Sequence, residues 1–164
     1  MTFKTDIFTK FDKQWALLTA GTADHFNAMT ISWGSMGTLW SRPVVTVYVR
    51  PTRYTDEFMQ QSDYFTVSFY PERFRRDLAV MGSKSGRDCD KVAMTALEPC
   101  ALEQSVTFRQ AETTILCRKL YVQDLSRADI PAEVLESHYA PQEQPHRMYI
   151  GEVVGIYPAD GDAD

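Results

Sequence analysis

The sequence predicts a mainly β domain, a closed or partly closed antiparallel barrel. Three observations point there: six strand-like segments, connections made of short turns or small helices, and no regular alternation of strands with long helices. The missing alternation disfavours a doubly wound parallel sheet, whereas closing an antiparallel sheet on itself protects its edges. At 164 residues, the chain reads as one domain, 1–164, able to bury a core without disulfides or metals.

Residues 15–20 read as the first strand, ended by Gly21, and residues 22–26 as the turn into the second. Residues 27–33 alternate, with Ala28, Thr30 and Ser32 on one face and Met29, Ile31 and Trp33 on the other. A face of small and hydroxyl-bearing residues suits a strand on which something flat and polar-edged rests. Residues 34–37, rich in glycine and serine, predict a loop, and Pro43 opens a third strand that runs to Val49. Thr52 is the expected N-cap of a helix over 53–61, which has no interior glycine or proline.

Residues 63–70 form a fourth candidate strand, and 72–81 a helix with Phe74, Leu78 and Met81 on one side and Gly82 as its stop. One or two helical turns are expected over 88–96 and a short helix over 132–138. The last two strands are 113–123 and 148–157. The acidic, small-residue tail 158–164 reads as frayed, leaving a core of about residues 12–157.

Composition narrows the function classes. A net charge of −5 argues against a broad basic face for nucleic acid and makes local clusters of cations more informative. No apolar run reaches the ~20 residues that span a bilayer, and residues 1–10 lack the apolar core of a secretion signal. No membrane association is therefore expected, and the cytoplasm is the expected compartment. Cys89, Cys100 and Cys117 are odd in number and far apart, which points to neither a disulfide framework nor a metal site.

Four segments carry chemistry. At Arg50-Pro51-Thr52-Arg53-Tyr54-Thr55 a strand discharges into a helix start. Unpaired N–H groups, the positive end of the helix dipole and two guanidiniums there favour an anion, phosphate above all. Taken alone, the segment also fits a capped surface helix with two solvated arginines. Asn27, Thr30 and Ser32 place amide and hydroxyl groups along one strand, as an ordinary polar strand also would.

Gly82-Ser83-Lys84-Ser85-Gly86-Arg87-Asp88 is a cationic, glycine-bounded loop that lacks P-loop spacing and reads equally as a solvated turn. His146 stands at the start of the last strand, where a lone histidine is commonly a surface residue. No Ser-His-Asp or Cys-His arrangement is apparent.

Taken in order, these segments, together with Ser62-Asp63-Tyr64-Phe65-Thr66-Val67-Ser68 and Tyr149-Ile150-Gly151-Glu152-Val153, resemble the flavin reductase-like family of FMN-binding split barrels. The resemblance covers residues 12–157. It implies a six-stranded antiparallel split β-barrel (Greek key) with short peripheral helices, a homodimer, and noncovalent FMN near the subunit interface.

By position, the resemblance lays the isoalloxazine along Asn27, Ala28, Met29, Thr30, Ser32 and Trp33. It matches Arg50, Arg53, Tyr54 and Thr55 to the phosphate-binding turn, and Ser83, Lys84, Ser85 and Arg87 to the loop closing over the ribityl-phosphate end. His146 matches a catalytic-site histidine near the docked nicotinamide. One departure is Trp40-Ser41-Arg42-Pro43, where typical reductases have a short Pro-Pro-Leu-type lead into the third strand.

The implied activity is NAD(P)H-dependent flavin reduction, with hydride passing to flavin N5. An FMN-binding electron carrier or sensor, and a pyridoxamine-phosphate-oxidase-like oxidase, share the same phosphate chemistry and remain alternatives. Exposed aromatics expected at Trp33, Trp40 and Tyr48, with the edges of a split sheet, are a separate reason to expect a dimer.

Overall fold

The computed structural model describes residues 2–159, so the acidic tail expected from 158 lies outside the described residues from 160 onward. The chain opens with one turn of helix, α1 (Ile7–Thr9), capped by the Asp6 carboxylate and continued as a π-type turn over Lys10–Gln14. It continues through β1 (Ala16–Thr22), β2 (His25–Ile31), β3 (Gly34–Leu39) and β4 (Arg42–Val49) to α2 (Tyr54–Gln61) and β5 (Tyr64–Phe69). Helix α3 (Arg75–Ser83) leads to the hairpin β6 (Pro99–Leu102) and β7 (Ser105–Phe108). The long strand β8 (Thr113–Asp124), α4 (Ala132–His138) and the long strand β9 (Arg147–Pro158) complete the fold.

Seven strands form one antiparallel sheet in the order β2-β1-β5-β8-β9-β4-β3. Period-two alternation curls it. Ala16, Leu18 and Ala20 of β1, Met29 and Ile31 of β2, Val45, Val47 and Val49 of β4, Phe65, Val67 and Phe69 of β5, Ile115 and Cys117 of β8 and Tyr149 of β9 all converge in one buried cluster. On the outer face of β1 and β2, Leu17 and Ala28 pack with Leu78 and Met81 of α3 and with Phe108 of β7 in a second cluster.

The mainly β, antiparallel expectation holds, with corrections in detail. Residues 34–37 are not a loop but half of β3, in register with β4 from Gly34↔Val47 to Leu39↔Arg42. A side chain at Gly34 would stand 2.7 Å from the Phe11 ring, so the strand needs glycine at that position, whereas at Gly37 the space is open. Its two-residue turn, Trp40 and Ser41, has φ of 52° and 57°, as a type I′ hairpin requires. The hairpin β6–β7 is likewise additional, which makes nine strands among the described residues where six were expected.

Helix ends differ too. Arg53, not Thr52, is the N-cap residue of α2, and no side chain caps it. Gly82 lies inside α3, which runs to Ser83, and over 88–96 only a 3-10 turn at Val92–Met94 forms. A Cβ at Gly82 would sit 3.1 Å from Thr30 Cβ, so this glycine serves the approach of α3 to β2 rather than ending the helix.

Candidate functional site

Strand β2 is the platform, and what covers it decides what it offers. Thr30 donates its hydroxyl to the Leu78 carbonyl at 2.5 Å, and Ala28 is buried under α3. The small face of β2 is therefore small first because a helix lies on it. Three cavities lie along the strand: a cleft of about 570 Å³ at its start, lined by His25, Phe26, Asn27 and Ala28, and two pockets that share Met29, one toward the start of α2, the other toward Trp33.

The first pocket, of about 150 Å³, is walled by Asn27, Met29, the Thr52–Thr55 turn, Lys84, Ser85, Gly86 and Lys91. Three cations, Arg53, Lys84 and Lys91, line it, and no carboxylate does. The pocket also receives the N-terminus of α2, where the Asp56 N–H already bonds the Arg53 carbonyl at 3.0 Å and the N–H groups of Tyr54 and Thr55 have no intrahelical acceptor.

Arg53 is fixed by one bond, from its guanidinium to the Gly82 carbonyl at 2.8 Å, and its other donors are free among the described residues. Burial first and then Arg50 nearby lower its pKa. Asn27 is buried and donates to Thr55 Oγ1 at 2.7 Å, locking strand to helix at the pocket floor. At Gly86 a Cβ would fall 2.2 Å from Asn27 Oδ1, so only glycine lets the 84–88 loop close this far.

The second pocket, of about 170 Å³, is lined by Met29, Thr30, Ile31, Ser32, Trp33, Tyr48, Arg50 and His146. Residues 138–146 strap its outer side. Arg50 is ion-paired with Glu143 and donates to the His138 carbonyl at 3.0 Å, while Arg127 holds the carbonyls of Ala140 and Glu143. His146 is 8% exposed, its Nδ1 is 2.6 Å from the Tyr139 hydroxyl, and its ring lies 5.2 Å from that of Trp33. Burial, then the Arg50 charge, lowers its pKa to about 4, so at neutral pH the imidazole is uncharged. The surface reading of His146 is thus overturned.

Both pockets share one anchor. Asp56, buried in the first turn of α2, accepts 2.6 Å bonds from Arg147, Tyr149 and Gln60, and Arg147 also bonds Asp124. These bonds tie α2 to β9 and so fix Arg53 on one side and His146 on the other.

Residues 8–164 match the sequence profile described as the flavin reductase like domain. The chain belongs to that family. No curated protein matches the sequence. Among solved structures, the fold is similar to an FMN-binding protein from Thermus thermophilus with bound 1-cyclohex-2-enone, at a TM-score of 0.72 and 18% identity, covering 100% of this chain and 80% of that one. Flavoredoxin from Methanosarcina acetivorans gives 0.70 at 18% identity over 98% of this chain and 75% of that one. Nitrilotriacetate monooxygenase component B from Mycobacterium thermoresistibile gives 0.68 at 15% identity over 90% and 70%.

In this member of the flavin reductase-like family, most of the residues singled out in the sequence stand on the two pockets. Arg53, Tyr54, Thr55, Lys84, Ser85, Asn27 and Met29 meet in the first, and Met29, Thr30, Ser32, Trp33, Arg50 and His146 in the second. Arg50 is thus apart from the first pocket, and Ser83 is exposed at the end of α3 and lines neither. Arg87 faces outward, paired with Glu57, bonded to the Thr52 carbonyl at 3.2 Å and lying over the Tyr54 ring. It clamps the loop to α2 from outside.

Lys91 had no signal in the sequence beyond a polar run. It is 4% exposed, bonded to the carbonyls of Met81 at 2.9 Å and Lys84 at 3.3 Å, and its pKa is lowered to about 8 by burial and then by Arg53. Among the described residues, no group of three His, Cys, Asp or Glu could hold a metal ion, and no helix is long and apolar enough to cross a membrane.

Proposed function

We propose that this protein binds FMN along β2, phosphate end in the first pocket and ring system in the second, and that it reduces the flavin with NAD(P)H. The observation that carries the reading is the carboxylate-free pocket of Arg53, Lys84 and Lys91 in a chain of net charge −5, joined through Met29 to a second pocket edged by hydroxyls and aromatics. The donor set suits a phosphate dianion, and Thr30, Ser32 and Trp33 suit a flat heteroaromatic with polar edges. Family membership and the FMN-binding protein among the structural neighbours support the same cofactor.

When bound, the flavin supplies hydride acceptance and onward electron transfer. The chain's own task is positioning. Arg53 and the α2 N-terminus hold the phosphate, the 84–88 loop closes over it, and the strap 138–146 presents neutral His146 beside Trp33 at the end of β2, where a nicotinamide would approach. Neutral His146 offers a hydrogen bond without a charge. Arg50 holds the strap.

The active species is proposed to be a homodimer. Trp40, 60% exposed, packs edge-on to the exposed Tyr121 of β8, and this aromatic pair is what a second copy would cover. Light scattering at micromolar concentration should give twice the chain mass, and a monomer would contradict the proposal.

Anaerobic titration of the flavin-loaded protein with NADH and NADPH tests the activity. Bleaching of the flavin absorbance by either supports the reductase, and reduction only by dithionite favours an electron carrier. Failure to bind added FMN sinks both.

A further inference from the structure

Lys91 is a buried lysine, 4% exposed. A lysine ammonium is rarely buried without a carboxylate, and Lys91 faces none in the pocket it shares with Arg53 and Lys84. Two backbone carbonyls, of Met81 at the end of α3 and of Lys84, take two of its three N–H donors. The third remains for the cavities it lines. It stands where the phosphate pocket opens into a larger cleft of about 570 Å³ bounded by Asp24, His25, Arg87, Asp88, Cys89 and Asp90.

Resting on the FMN reading above, we propose that Lys91 is the buried phosphate ligand and that the arriving phosphate monoester dianion is what makes it fully charged. Dianion binding and proton uptake by one side chain are then a single event.

The charges around Lys91 fix the direction. Burial first and then Arg53 at the start of α2 oppose its protonation, and Cys89 favours it; Lys84 shares the pocket, Arg87 is paired with Glu57 outside it, and the carboxylates of the wider cleft, Asp24, Asp88 and Asp90, lie with His25 outside the phosphate pocket. In the free protein its pKa is about 8. A phosphate dianion among the three cations must raise it. Because a phosphate monoester has its second pKa near ~6, it is already a dianion above neutrality, and proton uptake there belongs to the protein.

Linkage then sets the observable: above about pH 8, affinity falls with pH by up to tenfold per unit for one proton taken up. Riboflavin, lacking the phosphate, should show no such fall.

The test is calorimetric titration of the full-length apoprotein with FMN, riboflavin and inorganic phosphate at pH 7 and pH 9, each in two buffers of different ionisation heat. The expected result is uptake of close to one proton per FMN at pH 9, none with riboflavin, and FMN affinity more than fivefold weaker than at pH 7. Lys91→Met should lose at least tenfold in FMN affinity at pH 7 and lose the proton uptake at pH 9. Lys91→Arg, charged at both pH values, should bind FMN with pH-independent affinity, and this second variant guards against a folding defect in the first.

FMN binding without proton uptake and with unchanged affinity at pH 9 overturns the role of Lys91 while leaving the flavin reading intact. Absence of FMN binding, with phosphate still taking up a proton through Lys91, overturns the flavin reading and keeps the phosphate site. Neither ligand binding overturns both.

Discussion

Arg50 and Arg53 are three residues apart on one strand-to-helix junction, yet they end in opposite chemical states. Arg50 is spent: Glu143 neutralises it and the His138 carbonyl takes a further donor, so it fastens the strap over the second pocket. Arg53 keeps donors free in a pocket without a carboxylate. The comparison teaches that a cation's role follows from which groups reach it, not from its type or its distance along the chain. A motif that groups both arginines at one anion site overlooks that only Arg53 lines the carboxylate-free pocket.

The largest effect should come from the anchor that both ends share. Asp56→Ala removes the partner of Arg147 and Tyr149 and should cost about 3 kcal/mol of stability, read as a lower midpoint in denaturant. If the midpoint is unchanged, α2 is not held by this network. Next, Arg53→Ala should weaken FMN by about 1.5–3 kcal/mol, the scale of a hydrogen bond to a charge, with riboflavin affinity barely altered. Equal losses for the two ligands would place Arg53 away from phosphate.

Arg50→Ala should have the reverse profile. Its ion pair is partly exposed, so it should cost about 1 kcal/mol or less of stability and change FMN affinity little, but slow reduction by nicotinamide through a loosened strap. A loss in FMN affinity as large as that of Arg53→Ala would erase the distinction between the two ends.

What was legible in the sequence follows the same line between local and non-local causes. Strands β1, β2, β4, β5, β8 and β9 announce themselves because their inward residues alternate with period two. Strand β3 does not, because Gly34 is kept small by the Phe11 ring and the rest of the strand is held by pairing with β4, so glycine and serine there mimic a loop. Strands β6 and β7, at four residues each, are too short to carry a pattern.

At the site, Thr55 and Asn27 were legible as polar groups on adjoining elements, but their mutual bond spans 28 residues. Lys91 was hidden for a sharper reason. In the run from Arg87 to Lys91 every second residue or more is charged, and nothing local distinguishes the one whose side chain turns inward onto the carbonyls of α3 and its following loop.

The smallest effect, and the most direct link between the two arginines' fates, is the titration of His146. Its folded pKa of about 4 is set first by burial and second by Arg50, against an ordinary value of 6.5. A depressed pKa means that the unfolded chain binds the extra proton first, so the stability from burying neutral His146 is complete above pH 6.5 and is lost as pH falls from there through about 4. The Tm of the protein should therefore drop on acidification across that window, and His146→Gln should drop less.

In Arg50→Ala, removal of the second cause, with Glu143 left unpaired beside the ring, should raise the midpoint of the His146 resonance in an NMR titration. It should nonetheless stay below 6.5, because burial among Trp33, Tyr139 and β9 persists. A midpoint at the ordinary value would mean that the strap, rather than the barrel rim, is what buries His146, and that Arg50 controls its charge by holding that strap shut.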